Sequence, residues 1–144
     1  MALIMNKVGI VSCSGEIPEG TISRIATRLV LEELRPDQTV TICLPLFLAG
    51  GEGERTFAKL FPTITVDGCE KRCAEIGTRT YSGKPFATIV VTDILKKCSK
   101  LNLKSRDKLS TDEWKFAEKV AEEIAKKVDE ALNQEMKQLR SEKP

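Results

Sequence analysis

The side chains in this sequence best suited to do chemistry are its thiols. It has five cysteines and no histidine, which removes imidazole from both acid–base and metal-binding roles. Cys69 and Cys73 stand four residues apart in the run Asp67-Gly68-Cys69-Glu70-Lys71-Arg72-Cys73. Such a pair admits three readings: thiolate ligands of a metal ion, a reactive pair that exchanges with disulfides, or small apolar groups that fill core space. An odd number of thiols does not fit a full disulfide framework. In a reducing compartment, ligation or reactivity is the commoner use.

The choice depends on the elements that position the remaining thiols. The chain alternates short β-branched runs with helical stripes. Lys7–Ser12, Thr39–Ile42, Thr63–Val66 and Pro85–Val91 read as strands. Ile22, Ile25, Ala26, Leu29, Val30 and Leu34 recur at helical spacing, and Pro36 ends that helix. Glu52–Leu60 reads as a short helix between the Gly50-Gly51 turn and Pro62. Asp67 followed by Glu70 resembles a capping box, which predicts a helix starting at Asp67 and carrying Cys69 and Cys73 on one face. Residues 96–109 are rich in Lys and Ser and read as a turn or irregular segment. A second capping box, Ser110 with Glu113, precedes an apolar stripe from Ala117 to Leu139. It predicts a long C-terminal helix over about 111–141, whose last turns project past the domain and offer a homodimer seam. No internal repeat or linker divides residues 1–144. The expected fold is a single α/β domain with a mainly parallel four-stranded sheet flanked by helices.

In such a sheet, sites gather at the carboxyl ends of the strands. Cys13 follows the first run, Cys43 ends the second, and Cys69 comes just past the third, with Cys73 one helical turn on. Four thiols are thereby expected within reach of one point. Four thiolates around zinc at about 2.3 Å form a common closed site, with no position left for water. That would make the protein structural at this site, or a metal store or sensor. An iron–sulfur cluster uses the same four donors. A reactive Cys69/Cys73 pair would instead make a thiol redox or sulfur-transfer enzyme, although C-x₃-C is not the C-x₂-C of thioredoxin-like proteins. Cys98 falls seven residues after Val91, among Lys96, Lys97 and Lys100, and is expected to stand outside any site.

Four stretches together resemble a known family: VSCSGE at 11–16, GTISRIA at 20–26, TICLPLF at 41–47 and VDGCEKRCA at 66–74. They are similar to the small prokaryotic family named for its Asp-Gly-Cys motif, whose members are described as zinc-binding proteins with four characteristic cysteines. The resemblance covers residues 7 to 95 or so. It implies that Cys13, Cys43, Cys69 and Cys73 ligate the metal and that Asp67 and Gly68 complete the motif. It implies no reaction.

A cysteine after a first strand, then a loop and a helix, is also the layout of low-molecular-weight tyrosine phosphatases and arsenate reductases. Here no arginine follows until Arg24, and Glu16 and Glu19 stand where an anion would bind, so the match to an anion nest is poor. Gly50-Gly51-Glu52-Gly53 lacks the Gly-Lys-Ser/Thr end of a phosphate loop. Net charge is +2 with acidic and basic residues interspersed, and aromatics are 5% of the chain; nothing calls for nucleic acid. No run approaches the ~20 apolar residues of a membrane helix, and the apolar start Met1–Met5 lacks the parts of a signal peptide. A cytoplasmic location is expected, with a metal ion as partner, no membrane and no nucleic acid.

Overall fold

The computed structural model describes residues 7–13, 15, 17–98, 101–104 and 106–141. Met1–Met5, Glu16 and Lys100, used in the reading above, lie outside them.

Four parallel strands form one sheet in the order β2-β1-β3-β4: β1 Val8–Ser12, β2 Thr39–Thr41, β3 Thr63–Asp67 and β4 Ala87–Val90. In β1, Val8 and Ile10 alternate with Gly9 and Val11; in β3, Ile64 and Val66 alternate with Thr63, Thr65 and Asp67. Period-two alternation sends each set to its own face of the sheet. Val8, Ile10, Ile64 and Val66 pack against helix α1 (Pro18–Leu29), α6 (Val91–Lys97) and the long α7 (Thr111–Ser141) in the main core. Val11 packs on the other face with Phe57 of α4 (Phe57–Leu60) and Ala74 of α5 (Cys73–Tyr81). Two further short helices, α2 (Leu44–Leu48) and α3 (Glu52–Arg55), cover this side. The expected α/β fold, with its parallel four-stranded sheet, flanking helices and long C-terminal helix, is the observed one.

Local chemistry accounts for most boundaries. Pro18 opens α1, where its missing N–H costs nothing. That helix runs on through a π-helical turn, Val30–Leu34, before Pro36. Glu52–Leu60 is split at Thr56 into α3 and α4. At the start of α7 the expected capping box is formed: Ser110 Oγ accepts from the Glu113 N–H at 3.2 Å, and the Glu113 carboxylate accepts from the Ser110 and Lys104 N–H groups at 3.0 Å each. Glu113 is 4% exposed, so these bonds are what makes burying its charge tolerable.

Two expectations change. The fourth apolar run passes from β4 straight into α6 without a loop, so part of the segment read as irregular is helical. Cys98, expected in a solvated segment, is half-buried at the end of α6, packs on the main core and accepts a hydrogen bond from Lys119 Nζ at 3.1 Å. Among the described residues, no helix is long and apolar enough to cross a membrane.

Candidate functional site

The strand order turns at one place. From β1 the chain crosses to β2 on one side, and β3 then pairs on the other side of β1. The carboxyl ends of β1 and β3 therefore flank the topological switch point, the crevice where open α/β sheets bind ligands. Cys13 follows β1 there, and Asp67-Gly68-Cys69 ends β3.

Register places the side chains. Val11 pairs with Thr65 and Ser12 with Val66, and the Cys13 N–H continues the ladder by donating to the Val66 carbonyl at 2.8 Å. Cys13 lies two residues past Val11 and Asp67 two past Thr65, so both side chains face α5. Ser23 of α1, fully buried, donates its hydroxyl to the Cys13 carbonyl and to the Gly20 carbonyl, fixing the strand end to the helix.

Asp67 does not begin a helix. Its carboxylate reaches across a turn to accept from the Ala74 N–H at 2.7 Å and the Glu75 N–H at 3.0 Å. It caps α5 from seven and eight residues away, satisfying donors that a helix start leaves unpaired. The intervening turn closes through Arg72, which holds the left-handed conformation with φ 52° and ion-pairs Glu75 at 3.1 Å. Burial pushes the Asp67 carboxyl above its ordinary range, against the lowering effect of the two capping N–H groups.

Gly68 explains its place in the motif by space. A Cβ built on it would stand 2.7 Å from the Gly20 nitrogen and 2.8 Å from the Glu19 carbonyl carbon, and one on Gly20 would stand 2.7 Å from the Gly15 oxygen. Gly15, Gly20 and Gly68 thus let the loop after β1, the start of α1 and the turn after β3 come together backbone to backbone.

Cys13 is half-buried inside this junction. Burial raises its thiol above the ordinary value. The Gly15 N–H opposes that rise, the nearby Asp67 and Cys73 charges add to it, and the Gly68 N–H opposes it. The β1/β3 register sets Cys13 beside Asp67, whose carboxylate caps the helix that Cys73 begins. Cys73 is exposed as the first residue of α5. Leu46 and Leu48 are about half exposed, while Phe47 between them is 1% exposed and meets Tyr81 of α5 edge to face.

The four-thiolate metal site is not formed. Among the described residues, no group of three or more Cys, His, Asp or Glu side chains could hold a metal ion. The reasons are local. Cys69 lies in the turn before α5, not within the helix, so Cys69 and Cys73 do not share a helix face. Cys43 sits exposed at the end of the edge strand β2, just before α2. The ends of β2 and β3, which Cys43 and Cys69 follow, lie two strand spacings apart, about 10 Å, whereas a tetrahedral site needs every sulfur within about 2.3 Å of one point. The residues present do not fit zinc or an iron–sulfur cluster. The readings as a zinc-binding structural, store or sensor protein, with a metal ion as partner, are set aside with the ligand set Cys13, Cys43, Cys69 and Cys73. The alternative Cys69/Cys73 redox pair loses the helix-start position expected for Cys69, which lies in the turn before α5. Sequence reasoning missed the placement of Cys13 beside Asp67, because its signal is the β1/β3 register rather than any spacing along the chain.

Comparison with curated proteins finds no match, and neither does comparison with solved structures. The family model of the DGC domain matches residues 9–131, spanning both halves of the junction around Cys13 and Asp67-Gly68-Cys69, and the chain belongs to the DGC domain family.

Proposed function

We propose that the junction at the β1/β3 switch point is a thiol–disulfide exchange site built on Cys13 and Cys73. What supports this reading is placement: the β1/β3 register sets Cys13 beside Asp67, and the Asp67 carboxylate caps the start of α5, whose first residue is Cys73. The exposures of the two thiols divide the labour. Cys73 is exposed, open to a partner disulfide, and Cys13 is half-buried.

In the forward direction the Cys73 thiolate attacks one sulfur of a substrate disulfide. A protein–substrate S–S bond forms, and the first substrate thiolate leaves. Cys13 then gives up its proton and attacks the Cys73 sulfur, forming the Cys13–Cys73 bond and releasing the second substrate thiolate. The protein dithiol is oxidised by two electrons and the substrate disulfide is reduced to two thiols. A raised Cys13 thiol is protonated at neutral pH, so its attack needs a base. Asp67 is the adjacent carboxylate. Burial has raised its proton affinity, and each oxygen retains a lone pair beyond its capping bond. A reducing, cytoplasmic setting suits the unpaired thiols.

The test uses dithiobis(nitrobenzoate) as substrate and maps adducts by mass. Wild-type protein is expected to release both coloured thiolates at this site and to leave Cys73 free of adduct. Cys13→Ser is expected to release one and trap the adduct on Cys73. Asp67→Asn is expected to slow the second release about a hundredfold near neutral pH, with the difference narrowing at alkaline pH. A stable Cys73 adduct on the wild-type protein would sink the reading.

A further inference from the structure

A groove of about 310 Å³ lies where the end of α1 meets the first half of α7. Leu29, Leu34 and Ala121 line it with apolar surface, and Glu33, Glu118 and Glu122 with carboxylates. Trp114 completes the lining. Its indole is 44% exposed. On α7, Trp114, Glu118, Ala121 and Glu122 stand at i, i+4, i+7 and i+8 and so share one face. Across from them, Glu33 and Leu34 belong to the π-helical turn that continues α1, a conformation frequent at functional sites.

Charge marks this groove out. Glu118 and Glu122 have the i, i+4 spacing at which like charges weaken a helix, and Glu33 adds a third carboxylate from the other wall. The cations placed to neutralise them turn elsewhere. Lys119, three residues before Glu122, donates to the Cys98 sulfur. Lys126, four after it, pairs with Glu123 at 3.3 Å. Arg28 pairs with Glu32 at 3.4 Å. Among the described residues, no lysine or arginine pairs with Glu33, Glu118 or Glu122. An apolar cleft with an exposed indole and three unpaired carboxylates is complementary to a cation that also carries hydrocarbon.

We propose that this groove binds a linear polyamine. Its ammonium groups meet the three carboxylates, and its methylene segments lie along Leu29, Leu34 and Trp114. Residues four apart on a helix are about 5–6 Å apart at Cβ, so ammonium groups separated by short methylene runs can meet Glu118 and Glu122 in turn. The indole face attracts a cation directly. The volume falls within the range of small-molecule sites.

Trp114 is the chain's one tryptophan, so its fluorescence reports binding without a label. Spermidine titrated into the protein at low salt is expected to shift that fluorescence saturably, with a matching heat in calorimetry, and added salt is expected to weaken binding. Glu33→Gln, Glu118→Gln and Glu122→Gln are each expected to weaken it about two- to fivefold, as for exposed ion pairs, and the triple variant at least about tenfold. Trp114→Ala, followed by calorimetry, is expected to weaken it about two- to fivefold. Glu130→Gln, on α7 outside the groove, should bind as wild type does. Hexaamminecobalt(III) has the charge of spermidine without its methylenes, and is expected to bind about tenfold more weakly. Equal binding of the two would reduce the groove to charge attraction and overturn the proposal. It is also overturned if spermidine gives no saturable signal, or if the triple variant binds it as tightly as wild type.

Discussion

Gly68→Ala is expected to cost about 1–3 kcal/mol of stability, a fall in melting temperature of roughly 2–4 °C per kcal/mol for a chain of this size. The added methyl would meet backbone, not the end of a flexible side chain: the Gly20 nitrogen at 2.7 Å and the Glu19 carbonyl carbon at 2.8 Å. Those atoms belong to the first turn of α1, which is pinned by the Ser23 bonds to Gly20 and Cys13. Relief therefore requires α1 and the turn after β3 to move apart. That would also carry the Gly68 N–H away from the Cys13 sulfur, so the exchange of Cys13 should slow along with the loss of stability. Gly53→Ala serves as the control, because a Cβ there meets nothing within 4 Å. Thermal melts of the two variants side by side decide the matter. Equal melting points would show that the glycine junction is not the tight contact described here.

Asp67→Ala is expected to destabilise by about 2–4 kcal/mol, from two helix N–H groups that lose their acceptor in a buried setting. Ala74, one of the two donors, is fully buried. Asp67→Asn keeps one acceptor oxygen and should cost less. It should also change the response to pH. The folded-state carboxyl is raised above its ordinary value. Its contribution to stability is therefore fully present in acid, below the unfolded value of about 3.9, and is lost as pH rises through the raised folded value. Asn has no such step. Denaturant titrations across this range should show the gap between wild type and Asp67→Asn shrinking as pH rises. A gap that grows would mean that the two capping bonds outweigh burial and that Asp67 is an ordinary ionised cap.

How much of this was legible in the sequence varies from one element to the next. The α7 helix was legible because its signals are local: Ser110 and Glu113 three apart, then a stripe at helical spacing. The parallel sheet followed from alternation of strand and helix, but the order β2-β1-β3-β4 did not. Strand order is a matter of which faces cover each other, and no run of residues encodes it. The start of α5 misled for a physical reason. Asp67 and Glu70 have the spacing of a capping box, and Asp67 does cap, but the donors are Ala74 and Glu75 across a turn through left-handed Arg72. Whether the chain turns or continues as helix there depends on Gly68 lying against Gly20, a contact between residues 48 apart by number. The four-thiol expectation inherited that error. It treated four strand-end or helix-start positions as one point in space, whereas the register groups Cys13 with Asp67 and leaves Cys43 at the sheet's edge. Cys98 was read as lying in a solvated segment, but it is half-buried, since Lys119 comes to it from a helix 21 residues on.

The central claim is that Cys13 and Cys73 are a functional thiol pair. Equilibrating the protein in glutathione buffers of stepped ratio, quenching with acid and mapping linked peptides by mass tests it most directly. The account predicts a Cys13–Cys73 disulfide that appears in a single reversible step and disappears in Cys13→Ser and Cys73→Ser. A Cys69–Cys73 bond as the main product, a bond to Cys43, or no intramolecular disulfide under any ratio would contradict it.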